Sequence, residues 1–113
     1  MLTNLTEDPE KILAKNNKPA IVVFYTSWCG DCLRSLEYEK KLSEEFKDKV
    51  TFCRMDAEEY ETIADMYGVE HYPTYVFLKN GRSQEANLVE PCSEQEVRIW
   101  IKEKLKREVG KKP

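Results

Sequence analysis

Two cysteines stand directly after Trp28 in the run Cys29-Gly30-Asp31-Cys32. A thiolate, not a thiol, attacks a disulfide, and an ordinary cysteine with a pKa of about 8.5 is mostly protonated at neutral pH. The attacking sulfur therefore needs local help. The start of a helix gives it, because the unpaired backbone N–H groups and the positive end of the helix dipole favour negative charge there. A helix is predicted from Gly30 or Asp31 onward, which puts Cys29 at that start and makes it the nucleophile. Cys32 lies one turn deeper on the same face and reads as the resolving thiol. Cys29 would attack a substrate disulfide to form a mixed disulfide, and Cys32 would then attack Cys29 to expel the reduced substrate. The Cys29–Cys32 disulfide left behind persists until an electron donor reduces it. This redox-active pair is the only cofactor expected.

A closed zinc site needs four ligands. Cys53 and Cys92 stand far apart and supply no second close pair, so no metal is expected. Cys53 falls among strand residues and reads as a small core hydrophobe, and Cys92 falls in a turn. Trp28 follows two polar residues and reads as a partly exposed substrate platform. His71, the only histidine, is a solvated loop residue or a group that tunes Cys29.

The elements that must hold the pair follow from periodicity and turn chemistry. Asp8-Pro9 is a helix N-cap followed by proline at the first helical position, and that helix runs to Asn16-Asn17 before Lys18-Pro19 stops it. Residues 20–25 (AIVVFY) form an apolar, β-branched run, the pattern of a central strand covered on both faces. Leu33, Leu36, Leu42 and Phe46 then recur at helical spacing as far as Asp48, so the cysteines lie at a strand-to-helix junction. A strand over 50–55, a helix over 58–67 closed by Gly68, and a strand over 74–78 follow. Asn80-Gly81 is a hairpin signal that pairs 74–79 with a strand near 83–89. Ser93 and Glu96 make a capping box for a last helix carrying Val97, Trp100, Ile101 and Leu105.

With 113 residues the chain fits one domain, here 1–113, and can bury a core without disulfide staples. Hydrophobic residues at 41% and charged residues at 35% fit a soluble globular protein. A net charge of −3 gives no broad cationic field, so nucleic acid is not an expected partner. No apolar run approaches the roughly 20 residues that span a bilayer, and residues 1–18 lack the apolar stretch of a signal peptide. The expected setting is the cytoplasm, with no membrane partner.

The run FYTSWCGDC, followed further on by GVEHYPTYVFLKNG, resembles the thioredoxin family over residues 19–105. The resemblance implies an α/β thioredoxin-like fold: a central mixed β-sheet flanked by helices, with a βαβαββα core after an N-terminal helix. It implies that Pro73 is a cis-proline facing the cysteines, and that Trp28, Gly30, Asp31, Tyr72 and the loop 90–92 meet the substrate. The implied activity is reduction of protein disulfides by a monomer, with a thioredoxin-reductase-like or other electron donor. The alternatives are disulfide isomerase or oxidase activity, a non-catalytic module that holds a partner in the same groove, and an iron–sulfur cluster bridged between two chains.

Several residues depart from the family pattern. Val23 and Phe52 occupy the positions of the family's buried aspartate and its lysine partner, so the usual route for deprotonating the resolving cysteine is absent or replaced. Asp31 takes the place of a proline, where its charge favours the helix but opposes a Cys29 thiolate; a protonated His71 nearby would act the other way. Glu90 replaces a glycine of the substrate-facing loop. The Tyr-Pro-Thr run also resembles protein disulfide isomerase domains, but their active-site histidine and a terminal ER-retention signal are missing.

Overall fold

The computed structural model describes residues 2–13, 18–79, 82–83 and 87–110. In chain order these form β1 (Thr3–Asn4), α1 (Pro9–Leu13), β2 (Ala20–Tyr25), α2 (Gly30–Glu45), β3 (Thr51–Asp56), α3 (Glu61–Met66), β4 (Thr74–Lys79), β5 (Arg82–Ser83), β6 (Leu88–Val89) and α4 (Glu94–Gly110). The strands make one mixed sheet in the order β1-β3-β2-β4-β5, with β6 also pairing β4.

The apolar run of β2 is buried from Ala20 to Phe24 because neighbours close it on every side. Strand side chains alternate between faces. Val22 and Phe24 join Cys53, Met55, Val76 and Leu78 on one face, with Ala64 and Ile63 of α3 packed there. Ile21 and Val23 join Phe52, Tyr75 and Phe77 on the other, under Leu42 and Phe46 of the α2 segment and Val97 and Ile101 of α4. Each such side chain stabilises the fold by about 1.5–3 kcal/mol when fully removed from water.

Register places the site. β3 runs parallel to β2, while β4 runs antiparallel with Phe24 opposite Thr74. The end of β2, which leads to Cys29, therefore lies beside the start of β4, which follows Tyr72 and Pro73. β4 pairs with both β5 and β6, as the hairpin signal predicts; the Asn80-Gly81 turn itself and residues 84–86 lie outside the described residues.

Local chemistry explains most boundaries. Asp8 Oδ1 accepts from the Glu10 N–H at 2.9 Å and caps α1, whose predicted end at 16–17 lies outside the described residues. α2 stops earlier than the predicted Asp48, because Phe46 leaves helical geometry and its carbonyl accepts from the Lys49 and Val50 N–H groups as the chain turns into β3. α3 starts at Glu61, not Glu58, because the Asp56 carboxylate accepts from the Glu58 and Glu59 N–H groups and holds a turn there. It ends in a Schellman motif, with Gly68 at φ 71, its N–H bonded to the Asp65 carbonyl and the Val69 N–H to the Ala64 carbonyl. At α4, Ser93 Oγ accepts from the Glu96 N–H as the capping box requires, while Glu96 Oε1 reaches the Cys92 N–H instead of that of Ser93. Two further features depart from the sequence reading. β1 is an unpredicted two-residue strand parallel to β3. Leu33 is 66% exposed, because the inward row of α2 runs through Cys32, Ser35, Glu39 and Leu42 and leaves position 33 off that row.

Cys53 packs in the core at 1% exposure, and burial pushes its thiol up to about 11. An unfolded cysteine ionises near pH 8.5. The folded state thus keeps a proton that the unfolded state loses, and this contribution to stability is full below about pH 8.5 and disappears as pH rises toward 11. Chemical denaturation at pH 7, 9 and 10.5 is expected to show falling stability, with a flatter curve for Cys53→Val. Equal slopes for the two proteins would remove Cys53 from the account.

Candidate active site

Cys29 is the N-cap of α2, with extended backbone at φ −85 and ψ 112. Its Sγ accepts the Cys32 N–H at 3.2 Å, the role a serine or aspartate oxygen fills in most caps. The same N–H stands ready to receive negative charge on that sulfur. As a thiol, Cys29 also donates to the Tyr72 carbonyl at 3.7 Å, which ties the helix start to the loop before β4. Cys29 is 8% exposed and Cys32 is 2% exposed, so the second sulfur lies deeper. Burial, and then the hydrogen bond with Cys29, push the Cys32 thiol up to about 12, against the Thr26 backbone bond and the Arg54 guanidinium. The two cysteines are chemically unequal.

A groove of about 450 Å³ opens at this point, lined by Trp28, Cys29, Gly30, Asp31, Glu70, His71, Tyr72 and Glu90. It brings together the sequence-predicted residues Trp28, Cys29, Gly30, Asp31 and Tyr72, with Cys32 and Pro73 buried beneath. The Tyr72–Pro73 bond is cis. Trp28 is 67% exposed, meets the Tyr72 ring edge-on, and donates from Nε1 to Glu58 Oε2 at 2.9 Å. That exposure fits a platform, not a core residue. Asp31 is paired with Arg34 one turn along the helix, which locally offsets the negative charge that the sequence places against Cys29. Glu90 adopts φ 46, a left-handed conformation that glycine meets at lower cost, and its N–H bonds the Pro73 carbonyl at 2.9 Å. Cys92 is exposed and lines an adjoining groove that shares Asp31 and Glu90 with the first. Among the described residues, no group of three or more His, Cys, Asp or Glu side chains is placed to hold a metal ion.

Sequence reasoning missed a buried ion pair behind the cysteines. Val23 and Phe52 are core residues, as apolar side chains at those positions must be. Val23, however, stands opposite Arg54 in the sheet, and Arg54 Nε lies 3.0 Å from Oε1 of the fully buried Glu39. A signal was present: Glu39 falls seven positions after Cys32 on the same helical row, and Arg54 interrupts an otherwise apolar stretch.

The family model described as Thioredoxin matches residues 2–103, nearly the whole chain. The chain belongs to the thioredoxin family. It is 35% identical over 99 residues to thioredoxin-1 of Caenorhabditis elegans, covering 88% of this chain and 77% of that one. It is 33% identical over 98 residues to thioredoxin Y1, chloroplastic, of Arabidopsis thaliana, covering 87% of this chain and 52% of that one. It spans about half the length of the chloroplastic thioredoxins it matches. The crystal structure of Malassezia sympodialis thioredoxin superposes with a TM-score of 0.80 at 27% identity, covering 91% of this chain and 90% of that one. The thioredoxin-like fold expected from the sequence is thus the observed one. Within it, the paired cysteines at a helix start have the arrangement needed for thiol–disulfide exchange.

Proposed function

We propose that this thioredoxin-family chain reduces protein disulfides through the Cys29/Cys32 dithiol. The observation that carries this reading is a groove-lining N-cap sulfur on Cys29, which accepts the Cys32 backbone N–H at 3.2 Å, with the deeper sulfur of Cys32 one turn behind it. Cys29 attacks the substrate disulfide and Cys32 resolves the mixed disulfide, so two electrons pass to the substrate and the pair ends oxidised. The substrates are proteins whose extended disulfide segment fits the groove that Trp28, Cys29 and Tyr72 line. A thioredoxin-reductase-like or other donor restores the dithiol. The protein acts as a monomer in a reducing compartment, the cytoplasm by the sequence reading, with no cofactor beyond the pair itself.

Insulin reduction supplied with dithiothreitol tests the activity. Turbidity should develop well before the uncatalysed control, and a rate equal to that control would remove the reading. The potential of the pair separates the directions: a value near −270 mV, as in thioredoxin, fits a reductase, and one near −180 or −120 mV fits an isomerase or oxidase.

A further inference from the structure

The groove that exposes Cys29 carries an unbalanced charge. Asp31, Glu70 and Glu90 bring carboxylates to it, while among the described residues lining it there is no lysine or arginine, and His71 is the one side chain able to become positive. Asp31 is paired with Arg34 on the same helix, so its charge is offset locally. Glu70 and Glu90 are exposed, and neither carboxylate has a hydrogen-bond or ion-pair partner among the described residues. They come from separate loops, Glu70 from the one that leads into the cis-proline and Glu90 from the one between β6 and α4. Glu90 holds φ 46, which glycine would adopt at lower cost, so a carboxylate stands there against the local preference. A further carboxylate, Glu58, accepts from Nε1 of the groove-lining Trp28 at 2.9 Å. The negative field reaches Tyr72 as well: burial first, and then Asp65, Glu61 and Glu58, push its hydroxyl above the ordinary value.

Thiol–disulfide exchange adds negative charge to this setting. Cys29 gives its proton to water, and its electron pair forms a bond to one substrate sulfur. The substrate S–S bond breaks with its pair on the other sulfur, which takes a proton from water. Until that last proton arrives, the reacting sulfurs share a negative charge inside a groove that is already negative. Like charges oppose one another there, and a cation carried by the substrate offsets both. We infer that Glu70 and Glu90 make the groove select protein disulfides flanked by lysine or arginine over those flanked by carboxylates. This deepens the redox reading above and rests on it. Selection of this kind acts on the rate of encounter and on the charged transition state, and salt screens it.

Three peptides test it, identical except for Lys, Ser or Glu on each side of one intramolecular disulfide. The reduced full-length protein is mixed with each at pH 7 in about 20 mM and about 500 mM NaCl, and acid-quenched samples are resolved by chromatography. Each rate is divided by that of dithiothreitol with the same peptide, which removes the peptide's own reactivity. At low salt the Lys peptide should react about tenfold faster than the Glu peptide, with the Ser peptide between them, and the ratio should fall to about threefold or less at high salt. Glu70→Gln and Glu90→Gln keep shape but remove one charge each, and each should cut the low-salt ratio about two- to threefold. Equal normalised rates for the three peptides, a preference that persists in both glutamine variants, or variants that slow all three peptides alike would overturn the proposal. A wild-type protein no faster than dithiothreitol on any peptide would instead overturn the redox reading itself.

Discussion

Cys32→Ser is expected to accumulate substrate proteins covalently attached at Cys29, and Cys29→Ser is expected to lose both trapping and insulin reduction down to the uncatalysed background. The reason is positional. Cys29 lines the groove and caps α2, so an incoming disulfide meets its sulfur first. Cys32 is 2% exposed with its thiol pushed up to about 12, so without Cys29 it is neither reachable nor ionised at neutral pH. Once Cys32 is serine, nothing stands within the helix to attack the mixed disulfide, and the adduct survives. Cys53 is buried in the core, which leaves exposed Cys92 as the competing site of attachment. Peptide mapping of the trapped complexes after alkylation decides the matter. Attachment mainly through Cys32, Cys53 or Cys92 would overturn the assignment of Cys29 as nucleophile.

Glu39→Ala should be among the most destabilising single substitutions in the chain. It leaves the Arg54 guanidinium buried without its counter-charge and deprives the Tyr75 hydroxyl of its acceptor. Breaking a buried ion pair from one side costs about 3–5 kcal/mol. For a domain of this size that corresponds to a fall in Tm on the order of 15 °C or more. The double variant Glu39→Leu/Arg54→Met removes both charges together and should lose much less. Urea denaturation of the three proteins at pH 7 measures the difference. A loss below about 1 kcal/mol for Glu39→Ala would show that water or a shifted side chain already satisfies Arg54 in the folded state.

Much of this protein is determined by its sequence alone, because the signals act over a few residues. The AIVVFY run can be stable only as a covered strand, Asp8-Pro9 and Ser93 with Glu96 satisfy helix N–H groups within one turn, and Gly68 meets the left-handed φ that ends α3. The pair Cys29 and Cys32 needs only a strand-to-helix junction to become chemically unequal, and that junction was legible. The identity of Pro73 as a cis residue came from likeness to a family, not from local chemistry.

Tertiary structure decided what depends on residues far apart in sequence. Trp28 meets Glu58 on the surface, yet the larger surprise is inside. The stretch Glu37-Tyr38-Glu39-Lys40-Lys41 reads as a solvated helix face, and only the packing of α2 on the sheet carries Glu39, but not its charged neighbours, into the interior. Arg54 is drawn in with it, because strand alternation aims position 54 at the same face as Val23 and Phe52. A charge enters a low-dielectric core only where a partner already waits, and no local pattern shows that partner when it lies on a different element. The sequence therefore determined where the sulfurs stand, and the fold alone decided which charges stand behind them.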